Sequence, residues 1–185
     1  MPRIATGGIP MNGDWIQTYT GNQFWPLDPK PEHIFIEDIA HALSNICRFT
    51  GHCDYFYSVA EHSIIVSNHV PGGFALWGLL HDAAEAYIGD MSRPLKSMLP
   101  QFKKIESRIM EAVIEKFHLE PINEPQIVKD IDSGILATES FAIMKRHPQV
   151  WTLPYPPIEH EFSLYPPNEA ELWFLGCYNQ IMRNP

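Results

Sequence analysis

The sequence predicts an all-α fold, and three observations carry that expectation. Apolar residues recur at three- and four-residue spacing along much of the chain, and helix start and stop residues bracket those runs. Strand-like patterning is confined to the first 36 residues, at DWIQTY and HIFI, in a stretch rich in Gly, Pro and aromatics. That stretch predicts a short N-terminal hairpin or ordered loop.

The elements follow in order. From about Glu37 to Phe49, the residues Ile39, Ala42, Leu43, Ile46 and Phe49 share one helical stripe. Ser58 and Glu61 have capping-box spacing ahead of an apolar run, which predicts a second helix ending near Val70-Pro71-Gly72. A third helix should run from about Phe74 to Ile88, closed by Gly89, and a fourth from after Pro100 to about Phe117. A fifth spans Glu124 to Lys145, with Ile127, Ile131, Ile135 and Ala142 on its inner face. Six prolines within 147–167 predict an irregular loop, and Asn168 with Glu171 has the spacing to cap a last helix. With 185 residues and no internal repeat, the chain reads as a single domain. Its motif-bearing core is 37–145, followed by a Pro-rich loop and helix over 147–185.

Composition narrows the function. A net charge of −9 argues against a nucleic-acid binder, which needs a basic face. No apolar run reaches 18 residues, and the N-terminus lacks the apolar core of a signal peptide. The three scattered cysteines, Cys47, Cys53 and Cys177, read as cytosolic thiols, so the expected location is the cytoplasm. No glycine-rich phosphate loop or nucleophile triad is evident, which leaves water as the expected nucleophile.

The informative stretch is LLHDAAEAYIGDMSRPLK, residues 79–96. An apolar helix here carries His81, Asp82 and Glu85, and a buried charge is normally paired or bound to metal. At about 100° per residue these three project toward one face. Imidazole with carboxylate suits a borderline transition ion such as Zn²⁺, Mn²⁺, Co²⁺ or Fe²⁺. Further ligands must come from elsewhere. His62 in YSVAEHSIIV and Asp132 among Ile131, Ile135 and Leu136 are candidates, although a lone core histidine is usually only hydrogen-bonded.

The ordered set of EHS at 61–63, HDAAEAYIGDMSRPLK at 81–96 and VKDID at 128–132 resembles the HD-domain metal-dependent phosphohydrolases. Within them it is most similar to small bacterial 5′-deoxynucleotidases and to phage enzymes that strip triphosphate from dATP. The resemblance implies an HD-domain helical bundle in which His62, His81, Asp82 and Asp132 hold one divalent ion. Zn²⁺, Mn²⁺ or Co²⁺ is expected, with Mg²⁺ accompanying a triphosphate. Asp132 is preferred to Asp130 because it stands four residues after Val128, as the family's aspartate does. The resemblance also implies that Glu85 activates or orients water, that Asp90 handles the leaving oxygen, and that Arg48 binds phosphate. Asp90 read by itself could simply begin the turn GDMSRP.

Lys96 and Lys129 complete the expected phosphate clamp, and Phe49 and Pro94 are the candidates to flank a base. Trp77 is a candidate for the cleft wall or for the core, and His41 a secondary site candidate. Glu61 reads first as a helix cap and second as support for a metal ligand. The expected reaction is hydrolysis of a small deoxynucleotide at the 5′ phosphorus. The leading form is dATP to deoxyadenosine and triphosphate, with 5′-monophosphates as the alternative. Hydrolysis of a signalling nucleotide and an inactive nucleotide-binding protein are the remaining alternatives. A homo-oligomer is expected from the family and from Trp151, Tyr155 and Tyr165.

Overall fold

The computed structural model describes residues 13–145 and 155–183. Apart from one hairpin, the regular structure in these residues is helical, as the periodicity predicts. Strands β1 (Ile16–Gln17) and β2 (Gln23–Phe24) pair antiparallel, with Ile16 opposite Phe24. Asp38 ties this hairpin down by accepting bonds from the Thr20 amide (2.7 Å) and hydroxyl (3.0 Å). Phe24 is buried and stacks on Tyr87. The second strand-like patch, HIFI, forms no strand: it ends a 3₁₀ turn at Pro31–His33 and enters α1 (Ile36–Asn45).

Helix α1 stops four residues before the end of its apolar stripe. Cys47 bridges to Ser58 and the Arg48 amide donates to the Tyr57 carbonyl, so the chain is pulled into an extended pairing instead. Phe49 and Thr50 then adopt left-handed backbone, with φ of 55° and 56°. Such conformations cost non-glycine residues on the order of 1–3 kcal/mol and persist only where the surroundings enforce them.

Helix α2 (Val59–His69) starts as expected, with the Ser58 side chain accepting from the Glu61 amide. It is almost wholly buried, as a central helix should be. The predicted third helix is divided into α3 (Ala75–Leu80) and α4 (Glu85–Ile88). Between them the amides of Ala83, Glu85 and Ala86 bond three residues back, a tightened turn that carries His81 and Asp82. Gly89, at φ 80°, ends α4. Helix α3 lies close on α2 at Gly78, where an added Cβ would stand 2.8 Å from the Ser67 Cα.

Short α5 (Arg93–Met98) escapes the sequence reading because nearly all of it is exposed and it carries no inner stripe. Helices α6 (Pro100–Phe117) and α7 (Gln126–Ala142) follow as predicted within a few residues. Residues 155–166 form no regular element, and α8 (Pro167–Arg183) closes against α1 and α2. Asn168 lies inside α8 rather than capping it; Pro167 takes the first helical position and the Pro166 carbonyl accepts the first bonds. The core is one cluster of buried side chains that runs from Phe24 to Phe174.

Candidate metal centre and cleft

Three segments meet at one point. Helix α2 brings His62, the turn after α3 brings His81 and Asp82, and α7 brings Asp132. His62 and His81 face each other through Nε2 atoms 3.3 Å apart. Asp132 Oδ1 is 3.2 Å from His62 Nε2 and 4.0 Å from His81 Nε2. His62, His81 and Asp132 together offer ligand atoms within 4.8 Å of one another. Asp82 stands at the edge of this group. Its Oδ2 lies 3.3 Å from His81 Nε2 and 3.8 Å from His62 Nε2, but also 3.7 Å from Arg48 Nη1. Asp130 is turned away and accepts from Gln126 at 2.7 Å on the exposed side of α7.

These residues fit a divalent ion. Ligand atoms about 2.1 Å from one ion lie roughly 3–4 Å apart, the range seen here. The far nitrogens are committed: His81 Nδ1 donates to the Gly78 carbonyl at 2.8 Å, and His62 Nδ1 donates to Glu139 Oε1 at 2.6 Å. Both Nε2 atoms therefore face inward, and in the neutral imidazoles their lone pairs are left for a cation. The surroundings favour positive charge. Burial works against protonation of His81, yet Asp82 and Asp132 push it up to about 10. Burial likewise opposes ionisation of Asp82, but His81, His62 and Arg48 hold its carboxyl far below the usual range.

Behind His62 lies a residue that the sequence reading missed. Glu139, fully buried on α7, accepts from Tyr57 Oη (2.7 Å), His62 Nδ1 and Arg48 Nη2 (2.8 Å). Burial alone would raise its pKa, but Arg48 and His62 bring it down to about 2. Its spacing of seven from Asp132, two helical turns, was the available signal. Arg48, expected on phosphate, is itself buried and committed to this carboxylate, with its guanidinium 5.4 Å from the Phe49 ring centroid. Glu61 keeps its amide in the cap, but its carboxylate accepts from the amides of Ser163, Leu164 and Tyr165 at 2.8–3.1 Å. It fastens the segment before α8 to the helix that carries His62.

In front of the cluster opens a cleft of about 880 Å³ between the His81 turn, α6 and residues 118–124. Glu85, Lys96, Lys129 and Trp77 line it with His81, Asp82 and Asp132. Glu85 is buried, its Oε2 has no hydrogen-bond partner among the described residues, and burial with Asp82 and Asp90 pushes its carboxyl up to about 9. Lys96 pairs with Glu106 and stands 4.0 Å from Glu85. Lys129 is half exposed, 3.7 Å from Glu124. Trp77 serves both core and cleft wall, with its Nε1 donating to the Pro121 carbonyl at 3.0 Å.

Other expected residues lie outside the cleft lining. Asp90 is near enough to Glu85 to affect its charge but does not line the cleft, and neither do Phe49 or the exposed Pro94. His41 stacks on Tyr19 (3.6 Å) and bonds Glu171 (2.9 Å), which joins the hairpin to α1 and α8. Trp151 is outside the described residues.

Fold and site together define an all-α protein with a histidine–aspartate cluster suited to a divalent ion at the floor of an acidic cleft. No family model matches the chain. It is similar to the uncharacterized protein YfdR of Escherichia coli (strain K12), 38% identical over 170 residues that cover 90% of this chain and 95% of that protein. It is also similar to the uncharacterized protein RCAP_rcc00048 of Rhodobacter capsulatus, 32% identical over 193 residues that cover 94% of this chain and 98% of that one. The chain belongs to the family of these proteins.

Proposed function

We propose that this protein is a metal-dependent HD phosphohydrolase of the cytoplasm that cleaves small deoxynucleotides at the 5′ phosphorus. The observation that carries the reading is the pair of inward-facing imidazole Nε2 atoms, 3.3 Å apart and flanked by Asp132 and Asp82. A divalent ion held by His62, His81, Asp82 and Asp132 would neutralise phosphoryl charge and polarise the P–O bonds. Glu85 lines the cleft and has one buried oxygen without a partner among the described residues, and it is the group assigned to the attacking water. In the reaction the water oxygen bonds to phosphorus, the bond to the 5′ oxygen breaks, and that oxygen leaves with a proton. The family resemblance assigns that proton to Asp90, whose charge bears on Glu85 although it does not line the cleft. Lys96 and Lys129 supply the cations for phosphate from the cleft wall, and Arg48 sets the charge behind it.

With dATP as substrate the products are deoxyadenosine and triphosphate. A 5′-deoxynucleotidase acting on monophosphates is the second reading, favoured by one observation: the cleft lining holds eight carboxylates but only two lysines. Fewer phosphates need fewer cations. A homo-oligomer belongs to the proposal, and exposed Leu172 and Trp173 on α8 suit a buried contact. Among the described residues no helix is long and apolar enough to cross a membrane. The test is product analysis after incubation with each dNTP and dNMP in Mn²⁺, Co²⁺, Zn²⁺ or Mg²⁺. Release of triphosphate from dATP supports the first reading, and phosphate from dNMPs alone supports the second. No hydrolysis of any member of the panel overturns both.

A further inference from the structure

We infer that Glu139 is a positioning residue that couples the metal cluster to the arginine behind it. It fixes which nitrogen of His62 faces the ion and where the Arg48 guanidinium stands. The inference rests on the metal-site reading above and concerns how this chain holds the site in shape.

The geometry is specific. Glu139 has no exposed surface, and its two oxygens receive three donors from two other segments. Oε1 takes the Tyr57 hydroxyl and His62 Nδ1; Oε2 takes Arg48 Nη2. Because the carboxylate only accepts, Nδ1 of His62 must carry its proton, and the Nε2 lone pair is left for the cluster. The same carboxylate holds Arg48, whose other terminal nitrogen is 3.7 Å from Asp82. One side chain therefore touches one proposed ligand directly and reaches a second through a guanidinium.

The bond also sets a distance between helices. Glu139 and Asp132 are both on α7, and His62 is on α2. The contact between Glu139 and His62 therefore fixes the register that leaves Asp132 Oδ1 3.2 Å from His62 Nε2. Glutamine in place of Glu139 keeps the shape but has one accepting oxygen, and its amide group would confront one of the three donors. A buried arginine would also lose the nearer of its two counter-charges, leaving only Asp82 at 3.7 Å.

The experiment measures the Zn²⁺ dissociation constant by competition with a chromophoric chelator, with far-UV circular dichroism to verify the fold. Glu139→Gln should weaken Zn²⁺ binding by about 10–100-fold, the usual effect of losing a carboxylate behind a ligating histidine. Glu171→Gln breaks a His–carboxylate bond of the same kind, to His41 at 2.9 Å, outside the cleft, and should leave the constant unchanged. Wild-type affinity in a folded Glu139→Gln protein overturns the inference, as does an equal loss in Glu171→Gln. Should Glu139→Gln not fold, long-range ¹H–¹⁵N spectra of zinc-loaded wild type decide. A proton on His62 Nδ1 with Nε2 bound supports the inference, and the reverse arrangement overturns it. Failure of wild type to bind Zn²⁺, Mn²⁺ or Co²⁺ at all overturns the metal site itself, an outcome distinct from these.

Discussion

Behind the imidazoles, Glu139 answers three donors and is answered by all of them. In front of them, Glu85 keeps a buried oxygen without a partner among the described residues, while Lys96 stands between two carboxylates and Lys129 is half exposed. Burying a carboxylate is costly in either place, but only the rear wall meets that cost from within the chain. The rear wall thus holds its imidazole still, whereas the front wall leaves one carboxyl oxygen that no described residue satisfies. Unsatisfied buried groups in a native protein call for an explanation.

The largest effect should come from the meeting point of the two walls. His81→Ala or Asp132→Ala should remove both the bound ion and the activity, as read by elemental analysis of protein purified without chelator. Full metal stoichiometry in both variants would show that the cluster holds no ion. Next in size is Glu85→Ala, which changes only the front wall. It should keep the ion and lower turnover by about 10²–10⁴-fold, the scale of a positioned acid or base. Turnover within a few-fold of wild type would move the water-orienting role to another group.

Lys96→Ala should weaken use of dATP by about 1.5–3 kcal/mol, the scale of a hydrogen bond to a charged group, and weaken use of dAMP much less. Equal losses for the two substrates would remove the argument that the cleft reads the longer phosphate chain. Glu61→Gln should leave metal content intact but lower stability by about 1–3 kcal/mol in chemical denaturation, because its three backbone donors lose a charged acceptor. Loss of the ion in that variant would make the fastening of residues 163–165 part of the site. The smallest change in stability is expected from Lys129→Ala in the same denaturation, because its exposed pair with Glu124 contributes at most about 1 kcal/mol.

Much of this arrangement was legible along the chain. Ser58 and Glu61 marked the start of α2, Gly89 ended α4, and the stripe from Ile127 through Ile135 marked α7. The motif histidines and aspartates also proved to be the ones that meet, with Asp132 rather than Asp130 at the cluster. Three of the misses share one cause. Ile46 and Phe49 continue a helical stripe, but pairing between residues 47–48 and 57–58 takes that stretch out of the helix. Glu139 reads locally as a solvated helix glutamate, and Glu61 as half of a capping box. What they do depends on Tyr57, His62 and Arg48, or on Ser163, Leu164 and Tyr165, 77 to 104 residues away.

By itself, then, the amino-acid order determined the helices, their buried faces and the identity of the histidines and aspartates that meet in the candidate metal cluster. Periodicity, capping and ligand chemistry act within a few residues and leave their mark in the local pattern. Only the tertiary structure decided which nitrogen of each histidine faces the cluster, that Arg48 is held by Glu139, and that one buried oxygen of Glu85 has no partner among the described residues. Those properties are set by burial and by partners on other helices, and no local pattern records where a distant helix will place its side chains.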